Sequence, residues 1–322
     1  MSEEPEISVL LPVRDGGRFL APAVGDLLRQ RGVRIEVVAV DDGSTDGSGD
    51  RLETLARRDR RLRVIRTGGE GAARALDRAL AAANAPWIGQ MEADDRCAPD
   101  RFERLLAALR ARPGWQGVTS RAAAFGAGGE GMRRYVAWQN SLLEPDEMAR
   151  ARFIEIPALH QTGIYRRTAL QAIGGFAGRS AEGGWPPDID FWMRWFERGL
   201  AAGKVARVLY RWRQHARQAT RTSPLHRLEA LRRCKAHYFA RGPGRGRAID
   251  LFSVGATLKG WAAALEAAGS REVRPVPWRP SAPLPPTRAH ALRLFVFGTA
   301  PARASVGRRL GALDPRRDWF AA

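Results

Sequence analysis

Three carboxylates fall within four residues at Glu92-Ala93-Asp94-Asp95. They follow Trp87-Ile88-Gly89-Gln90-Met91, a run that reads as a short buried strand. Acids crowded at a strand's C-terminal end repel one another unless something cationic uses them. Ligands of open α/β sheets bind outside those strand ends. Hard divalent cations take one or two carboxylates and share the rest of their shell with substrate phosphates. The run therefore reads as a metal–diphosphate site. The plainer reading is an acidic cap on the helix that starts near Pro99.

A second acidic run, Asp41-Asp42-Gly43-Ser44-Thr45-Asp46-Gly47-Ser48, follows the β-branched stretch from Ile35 to Val40. Asp41 or Asp42 can accept hydrogen bonds from a base or ribose. An Asx turn and helix cap would use the same residues. Two more acids, Asp188 and Asp190, follow Gly183-Gly184-Trp185-Pro186-Pro187. The helix after them carries Phe191, Trp192, Trp195 and Phe196 at core spacing. Asp188 is expected just before that helix and Asp190 near its first turn, where either could act as a cap worth ~1 kcal/mol.

The elements that must position these acids alternate. Ile7 to Val13 reads as a buried parallel strand, and Phe19 to Gln30 as an amphipathic helix. Strands over residues 35–40, 62–66 and 87–91 are separated by helices over residues 49–58 and 72–83. That order predicts an α/β fold with a doubly wound sheet. A strand is expected over residues 115–124 and a flexible loop over residues 126–131. Both acidic runs then sit at strand ends on one sheet edge. There is no glycine-rich dinucleotide fingerprint or P-loop after the first strand.

Composition narrows the classes. The chain has 322 residues, 44% of them hydrophobic, and a net charge of +19 from 53 Lys+Arg against 34 Asp+Glu. Such a balance suits anionic substrates or an anionic membrane surface. Nucleic acid is not expected, since no aromatic-interleaved basic patch or helix-turn-helix pattern is present. The two cysteines, Cys97 and Cys234, form no disulfide framework or metal spacing. Residues 1–6 lack a signal-peptide profile, and no apolar run approaches the ~18 residues of a membrane span. The expectation is a cytoplasmic protein, peripheral at the inner face of the membrane.

In order, Pro12-Val13, Asp41-Asp42-Gly43-Ser44-Thr45-Asp46, and Glu92-Ala93-Asp94-Asp95 with Pro99-Asp100-Arg101 resemble the N-terminal half of a family 2 glycosyltransferase. The resemblance implies a GT-A type doubly wound mixed sheet. It implies transfer of a sugar from a UDP- or GDP-sugar to a glycan or lipid-linked acceptor, with inversion and with Mg²⁺ or Mn²⁺. Pro12, Val13, Asp41 or Asp42, Glu92, Ala93 and Asp94 would line the donor, and Asp94 would hold the metal. His160 to Arg167 resembles the family's strand beside the acceptor, and Asp188 aligns with its catalytic base. His160, Trp185 and Asp190 would border the acceptor. The run Tyr210-Arg211-Trp212-Arg213-Gln214-His215, continued by Ala219-Thr220-Arg221, resembles the family's closing motif. By that likeness His215 would complete the metal shell, and Arg213 and Arg221 would pair with phosphates.

The chain departs from the family at four places. Glu92 replaces the first Asp of the metal loop, and Arg14 replaces an aromatic residue. Leu76-Asp77 stands where an Arg-Asn pair is usual, with Arg74 and Arg78 as substitutes one turn apart. Pro187 replaces the Glu before the base. These departures keep a non-catalytic binding or scaffold protein as the rival reading, with a nucleotidyltransferase behind it. After residues 1–239, residues 240–322 repeat a strand–Gly–helix pattern and resemble a small Rossmann-like α/β appendage, structural or partner-binding.

Overall fold

The computed structural model describes residues 4–216, 218, 224–310, 314 and 316–322. It begins with β1 (Ile7–Val13), α1 (Leu20–Leu28), β2 (Ile35–Asp42), α2 (Ser48–Arg58), β3 (Leu62–Thr67), α3 (Ala72–Ala81) and β4 (Trp87–Gln90). The four strands are mutually parallel in the order β3-β2-β1-β4. Every residue of β1 and β2 is buried. Both faces of these strands are covered, which is why their sequences are nearly continuous apolar runs.

The next segment holds β5 (Arg96–Cys97), α4 (Arg101–Ala111), β6 (Gly117–Gly126), α5 (Glu130–Ser141), α6 (Pro145–Ala151), β7 (Ile164–Arg166), α7 (Arg167–Ala172), α8 (Ser180–Gly183), α9 (Pro187–Glu197) and β8 (Ala202–Gln214). β7 runs antiparallel to β4 and β6, β8 is parallel to β6, and β5 is antiparallel to β8. The result is one mixed sheet in the order β3-β2-β1-β4-β7-β6-β8-β5. The acidic loop joins the sheet's centre to one of its edges. That loop leaves β4 at the sheet's centre, and β5 at once pairs with β8 at its edge.

Three local expectations change. The loop expected over residues 126–131 is shorter, because α5 already starts at Glu130. The strand expected from His160 is confined to Ile164–Arg166, and His160–Thr162 form one 3-10 turn. Asp188 lies inside the first turn of α9, because Pro187 occupies the first helical position. A proline is tolerated there, where its missing N–H has no helical partner to lose.

The C-terminal segment contains α10 (Leu228–Arg241), β9 (Ile249–Ser253), α11 (Gly255–Ala267), β10 (Val273–Pro277), β11 (Leu292–Val296), α12 (Ala300–Leu310) and β12 (Asp318–Ala321). The four strands form a separate parallel sheet in the order β10-β9-β11-β12. Its last strand was not legible in the sequence. The two sheets share one hydrophobic core, which includes Leu10, Phe153, Phe239, Leu251 and Leu294. Trp319 of β12 meets Phe153 and Phe239 edge-on at 5.6 and 6.0 Å. Lys235 Nζ donates to the Ile154 and Ala322 carbonyls at 2.8 and 2.6 Å. α10 spans the boundary expected near residue 240.

One buried carboxylate fixes α9. Asp190 is fully buried. Its Oδ1 accepts from Trp185 Nε1 at 3.1 Å and Tyr238 Oη at 2.7 Å. Its Oδ2 accepts from the Arg179 backbone N–H at 3.1 Å and Arg194 Nε at 2.6 Å. The Arg194 guanidinium also donates to the carbonyls of Ile173, Gly175 and Phe176. This is a satisfied buried ion pair rather than a solvent-facing cap. Removing one member of such a pair strands the other charge. Asp190→Ala is therefore expected to lower the unfolding free energy by about 3–5 kcal/mol, read from urea denaturation. A loss near the ~1 kcal/mol of a simple helix cap would refute the network.

Candidate active site

The acidic loop is held by a different partner at each carboxylate. Glu92 Oε1 accepts from Gln90 Nε2 at 2.7 Å. Asp94 Oδ2 lies 2.7 Å from His215 Nε2. Asp95 is buried; its Oδ2 accepts from Tyr210 Oη at 2.7 Å and its Oδ1 from the Arg213 backbone N–H at 2.6 Å. Burial and repulsion from Asp94 raise the Glu92 pKa to about 7, against the hydrogen bond from Gln90. Burial raises the Asp95 pKa well above its ordinary value, and Asp94 adds to it.

Glu92, Asp94 and His215 border a cavity of about 1120 Å³ along the C-terminal ends of β1, β2 and β4. Pro12 and Val13 line it from β1, and Glu92, Ala93 and Asp94 from the loop after β4. Asp42 lines it and Asp41 does not. Neighbouring residues of a strand point to opposite faces. Asp41 instead receives the Ser44 N–H at 3.2 Å, closing the turn after β2. Asp42 is fully engaged as well: Oδ1 accepts from Thr67 Oγ1, Gly69 N and Glu70 N, and Oδ2 from Gly71 N, at 2.7–3.1 Å. Burial works against ionisation here, yet these donors hold the Asp42 pKa below its ordinary value. Gly69 and Gly71 have φ of +93° and +94°, which L side chains rarely adopt. The glycine turn is thus the shape needed to wrap that carboxylate. Asp42 shapes the cavity wall through this turn.

Opposite, the residues 14–17 turn is clamped to the 44–46 loop. Asp15 Oδ1 accepts the Thr45 N–H at 2.8 Å, and Asp46 Oδ2 accepts the Gly17 N–H at 2.8 Å. Arg14 lines the cavity beside this turn. Arg74 and Arg78 are exposed and do not line it. Arg78 bonds Glu70 instead, while Leu76 lines the cavity. Asp77 accepts the backbone N–H groups of Phe176 and Ala177 at 2.7 and 3.1 Å. The substitutes expected for the family's donor contact are therefore not at the site.

Around His215, the Phe19 ring stacks at 5.9 Å between centroids. The Arg213 guanidinium lies over Phe19 and Phe125 at 4.3 and 4.4 Å, and its Nε donates to the Asp94 carbonyl at 2.6 Å. Arg213 thus braces the loop and does not line the cavity. Ala219, Thr220 and Arg221 lie outside the described residues.

On the far side stand His160, Phe176, Phe191 and Asp188. His160 Nδ1 lies 2.7 Å from Gln90 Oε1, and burial lowers its pKa to about 4. Asp188 Oδ1 accepts its neighbour's N–H from Ile189 at 2.8 Å and lies 4.0 Å from His226 Nε2. Burial raises the Asp188 pKa; His226 opposes this and Glu155 adds to it. Trp185 and Asp190 do not line the cavity. They bond to each other in the network under α9, away from the cavity where the acceptor contact was expected of them. Helix residues two apart project to different sides, which separates Asp190 from Asp188.

Two residues at the site were not anticipated. Gln90 is fully buried, and a polar side chain at the end of an otherwise apolar strand was the available signal. His226 lines the cavity from a 3-10 turn before α10, and nothing in its local sequence marks it.

The family model described as "Glycosyl transferase family 2" matches residues 8–174. The putative glycosyltransferase EpsE of Bacillus subtilis is 27% identical over 220 residues, covering 66% of this chain and 75% of that protein. Three other curated relatives match over about a hundred residues, and there the chain spans 29% to 33% of their length. Among solved structures, S. aureus TarS 1-349 in complex with UDP-GlcNAc superimposes with a TM-score of 0.57 at 16% identity, over 73% of this chain and 66% of that one. The mannosyltransferase PcManGT from Pyrobaculum calidifontis, in complex with GDP-Man and Mn²⁺, gives 0.51 at 19% identity, over 98% of this chain and 83% of that one. At these identities the structural likeness establishes the fold, which is GT-A. With the family model matching more than half of its length, the chain belongs to glycosyltransferase family 2.

Proposed function

We propose that this glycosyltransferase moves a sugar from a nucleoside-diphosphate donor to a hydroxyl of a glycan or lipid-linked acceptor, with inversion and with a divalent ion. The observation that carries this reading is the division of acids within one cavity. Asp94 faces His215 on one side, and Asp188 stands on the other. Asp188 Oδ2 has no partner among the described residues. In the proposed step Asp188 takes the acceptor hydroxyl proton. That oxygen attacks the anomeric carbon, and the bond to the diphosphate oxygen breaks with its electrons leaving on the diphosphate. One base suffices where the leaving group needs no proton, unlike the paired carboxylates of glycosidases.

The donor set at Asp94 and His215 fits Mg²⁺ or Mn²⁺. One carboxylate and one imidazole converge, and among the described residues no group of three or more His, Cys, Asp or Glu is placed to hold an ion. An ion here would draw its remaining ligands from diphosphate oxygens and water, the usual habit of Mg²⁺; imidazole favours Mn²⁺. Such an ion, when bound, supplies positive charge against the leaving diphosphate. The TarS and PcManGT complexes with UDP-GlcNAc and GDP-Man support a nucleotide-sugar donor here. The C-terminal four-stranded sheet, roughly residues 240–322, we read as a structural or partner-binding module.

Asp94→Ala is expected to remove metal-dependent UDP or GDP affinity while leaving the melting temperature near that of the parent. Unchanged Mn²⁺-dependent binding by calorimetry would rule Asp94 out as the ligand.

Asp188→Asn should bind donor normally and lose about 10²–10⁴-fold in turnover, the usual worth of a general base. A base must be ionised, and burial raises the Asp188 pKa. Activity in the parent should therefore fall with decreasing pH at a value above the ordinary Asp range, and the mutant should lack that limb. Donor affinity with no turnover in the parent itself would favour the scaffold reading.

The charge of +19 supports peripheral contact with an anionic membrane, each Lys or Arg near the surface contributing about 1 kcal/mol. No helix of the described residues is long and apolar enough to cross a membrane. Co-sedimentation with anionic vesicles should occur at low salt and fade as salt rises. Equal binding to neutral vesicles would defeat this reading.

A further inference from the structure

We infer that Gln90 is a positioning residue that holds His160 with Nδ1 protonated and Nε2 bare, so that Nε2 accepts a hydrogen from a sugar substituent in the cavity. The inference rests on the proposed sugar transfer for its ligand and on the geometry of three side chains for its mechanism.

A side-chain amide has one donating and one accepting end. Gln90 is fully buried, and both ends are engaged: Nε2 donates to Glu92 Oε1 at 2.7 Å, and Oε1 lies 2.7 Å from His160 Nδ1. In the structure the NH₂ group faces Glu92, and the amide oxygen, which only accepts, faces His160. The hydrogen between them must sit on Nδ1. A neutral imidazole carries one N–H, which leaves Nε2 as an acceptor. The ring stays neutral because it packs among Phe176 and Phe191, with centroids 6.0 and 5.5 Å away. Burial there lowers its pKa to about 4.

The backbone around this chain is pinned too. Arg101, fully buried, donates from Nη2 to the Gln90 carbonyl at 2.9 Å and to the Gln161 carbonyl. Tyr165 Oη donates to the His160 carbonyl at 2.8 Å. Arg101 thereby joins β4 to the 3-10 turn that carries His160. His160 lines the cavity, and its Nε2 makes no hydrogen bond among the described residues. A bare ring nitrogen rejects phosphate and carbonyl oxygens, which have no hydrogen to give. It takes a hydroxyl, or the N–H of an acetamido group, either of which a sugar presents. The sugar belongs to the donor or to the acceptor, and the two are separable by experiment.

The first test needs no ligand and no variant. Protein with ¹⁵N-labelled histidine is examined at neutral pH by two-bond ¹H–¹⁵N correlation, which separates a protonated ring nitrogen from a bare one. The chain has five histidines, and the signal lost in His160→Gln identifies residue 160. The expected tautomer is Nδ1–H; an Nε2–H tautomer in the parent overturns the inference, whether or not nucleotides bind. Gln90→Leu should lose the Nδ1–H preference. The second test compares UDP, UDP-GlcNAc, GDP and GDP-mannose. If the donor's sugar is the ligand, Gln90→Leu and His160→Gln weaken the productive nucleotide sugar by about 3–10-fold, one hydrogen bond's worth, and leave the bare nucleotide unchanged. If the acceptor is the ligand, its KM rises by a similar factor at unchanged donor affinity. No change in either, in a variant that melts like the parent, overturns the substrate contact. A parent that binds no nucleotide at all refutes the proposed function instead, and the tautomer result still stands.

Discussion

Mutual repulsion among Glu92, Asp94 and Asp95 is the constraint around which the catalytic half is built. Three acids in one half-buried loop do not stay ionised together without compensation. The structure answers each from a different direction. Gln90 of β4 meets Glu92, His215 just after β8 meets Asp94, and Tyr210 and Arg213 within β8 meet Asp95. β8 lies at the opposite side of the sheet from β1 and β2, so the acids tie the sheet's edge to its centre. Arg101 adds to this by stacking its guanidinium against Tyr210 at 4.8 Å while it holds the Gln90 carbonyl. The loop's charge is thus a folding constraint as well as the proposed ligand.

Much of the parallel half was legible because its signals are local. Fully buried strands must be continuously apolar, and the turns between them need Gly, Asp and Ser. The pattern from Ile7 to Gln90 obeys both rules, and the family motifs fell where strand ends had to be. The second half was less legible because its determinants are distant in sequence. His160 sits in a 3-10 turn, where Tyr165 and Arg101 bond to the carbonyls of His160 and Gln161. β12 lies against β11, and its bulky Trp319 is explained by Phe153 and Phe239, both far earlier in the chain. No window of neighbouring residues contains that information.

The pair Asp188 and Asp190 illustrates the same limit within one turn of helix. Both are acids near a helix start, and both satisfy the preference for negative charge there. Sequence spacing cannot say which one faces the core. The aromatic stripe of Phe191, Trp192 and Trp195 suggests a buried side but leaves the first turn open. What decides is Arg194, four residues after Asp190 and buried with it. An i, i+4 acid–base pair on the buried face removes Asp190 from the cavity and leaves Asp188 on the exposed side. Arg194, one helical turn after Asp190, is therefore the residue that tells the two acids apart.

Two histidines on opposite walls of the cavity are prepared for opposite tasks. His215 presents its Nε2 to a carboxylate oxygen at 2.7 Å with Phe19 stacked on one face. That geometry is the one proposed to hold an ion shared with Asp94. His160 faces a neutral amide among Phe rings, a setting that disfavours charge. In the proposed roles the same side chain serves a cation in one place and acts as a neutral hydrogen-bond acceptor in the other. The difference is set by a single partner in each case, a carboxylate against an amide oxygen. The proposed binding of a charged diphosphate at one end and an uncharged sugar at the other calls for this polarity along the cavity's length. The placement of Asp94 and Gln90, four residues apart on one strand and its following loop, supplies it.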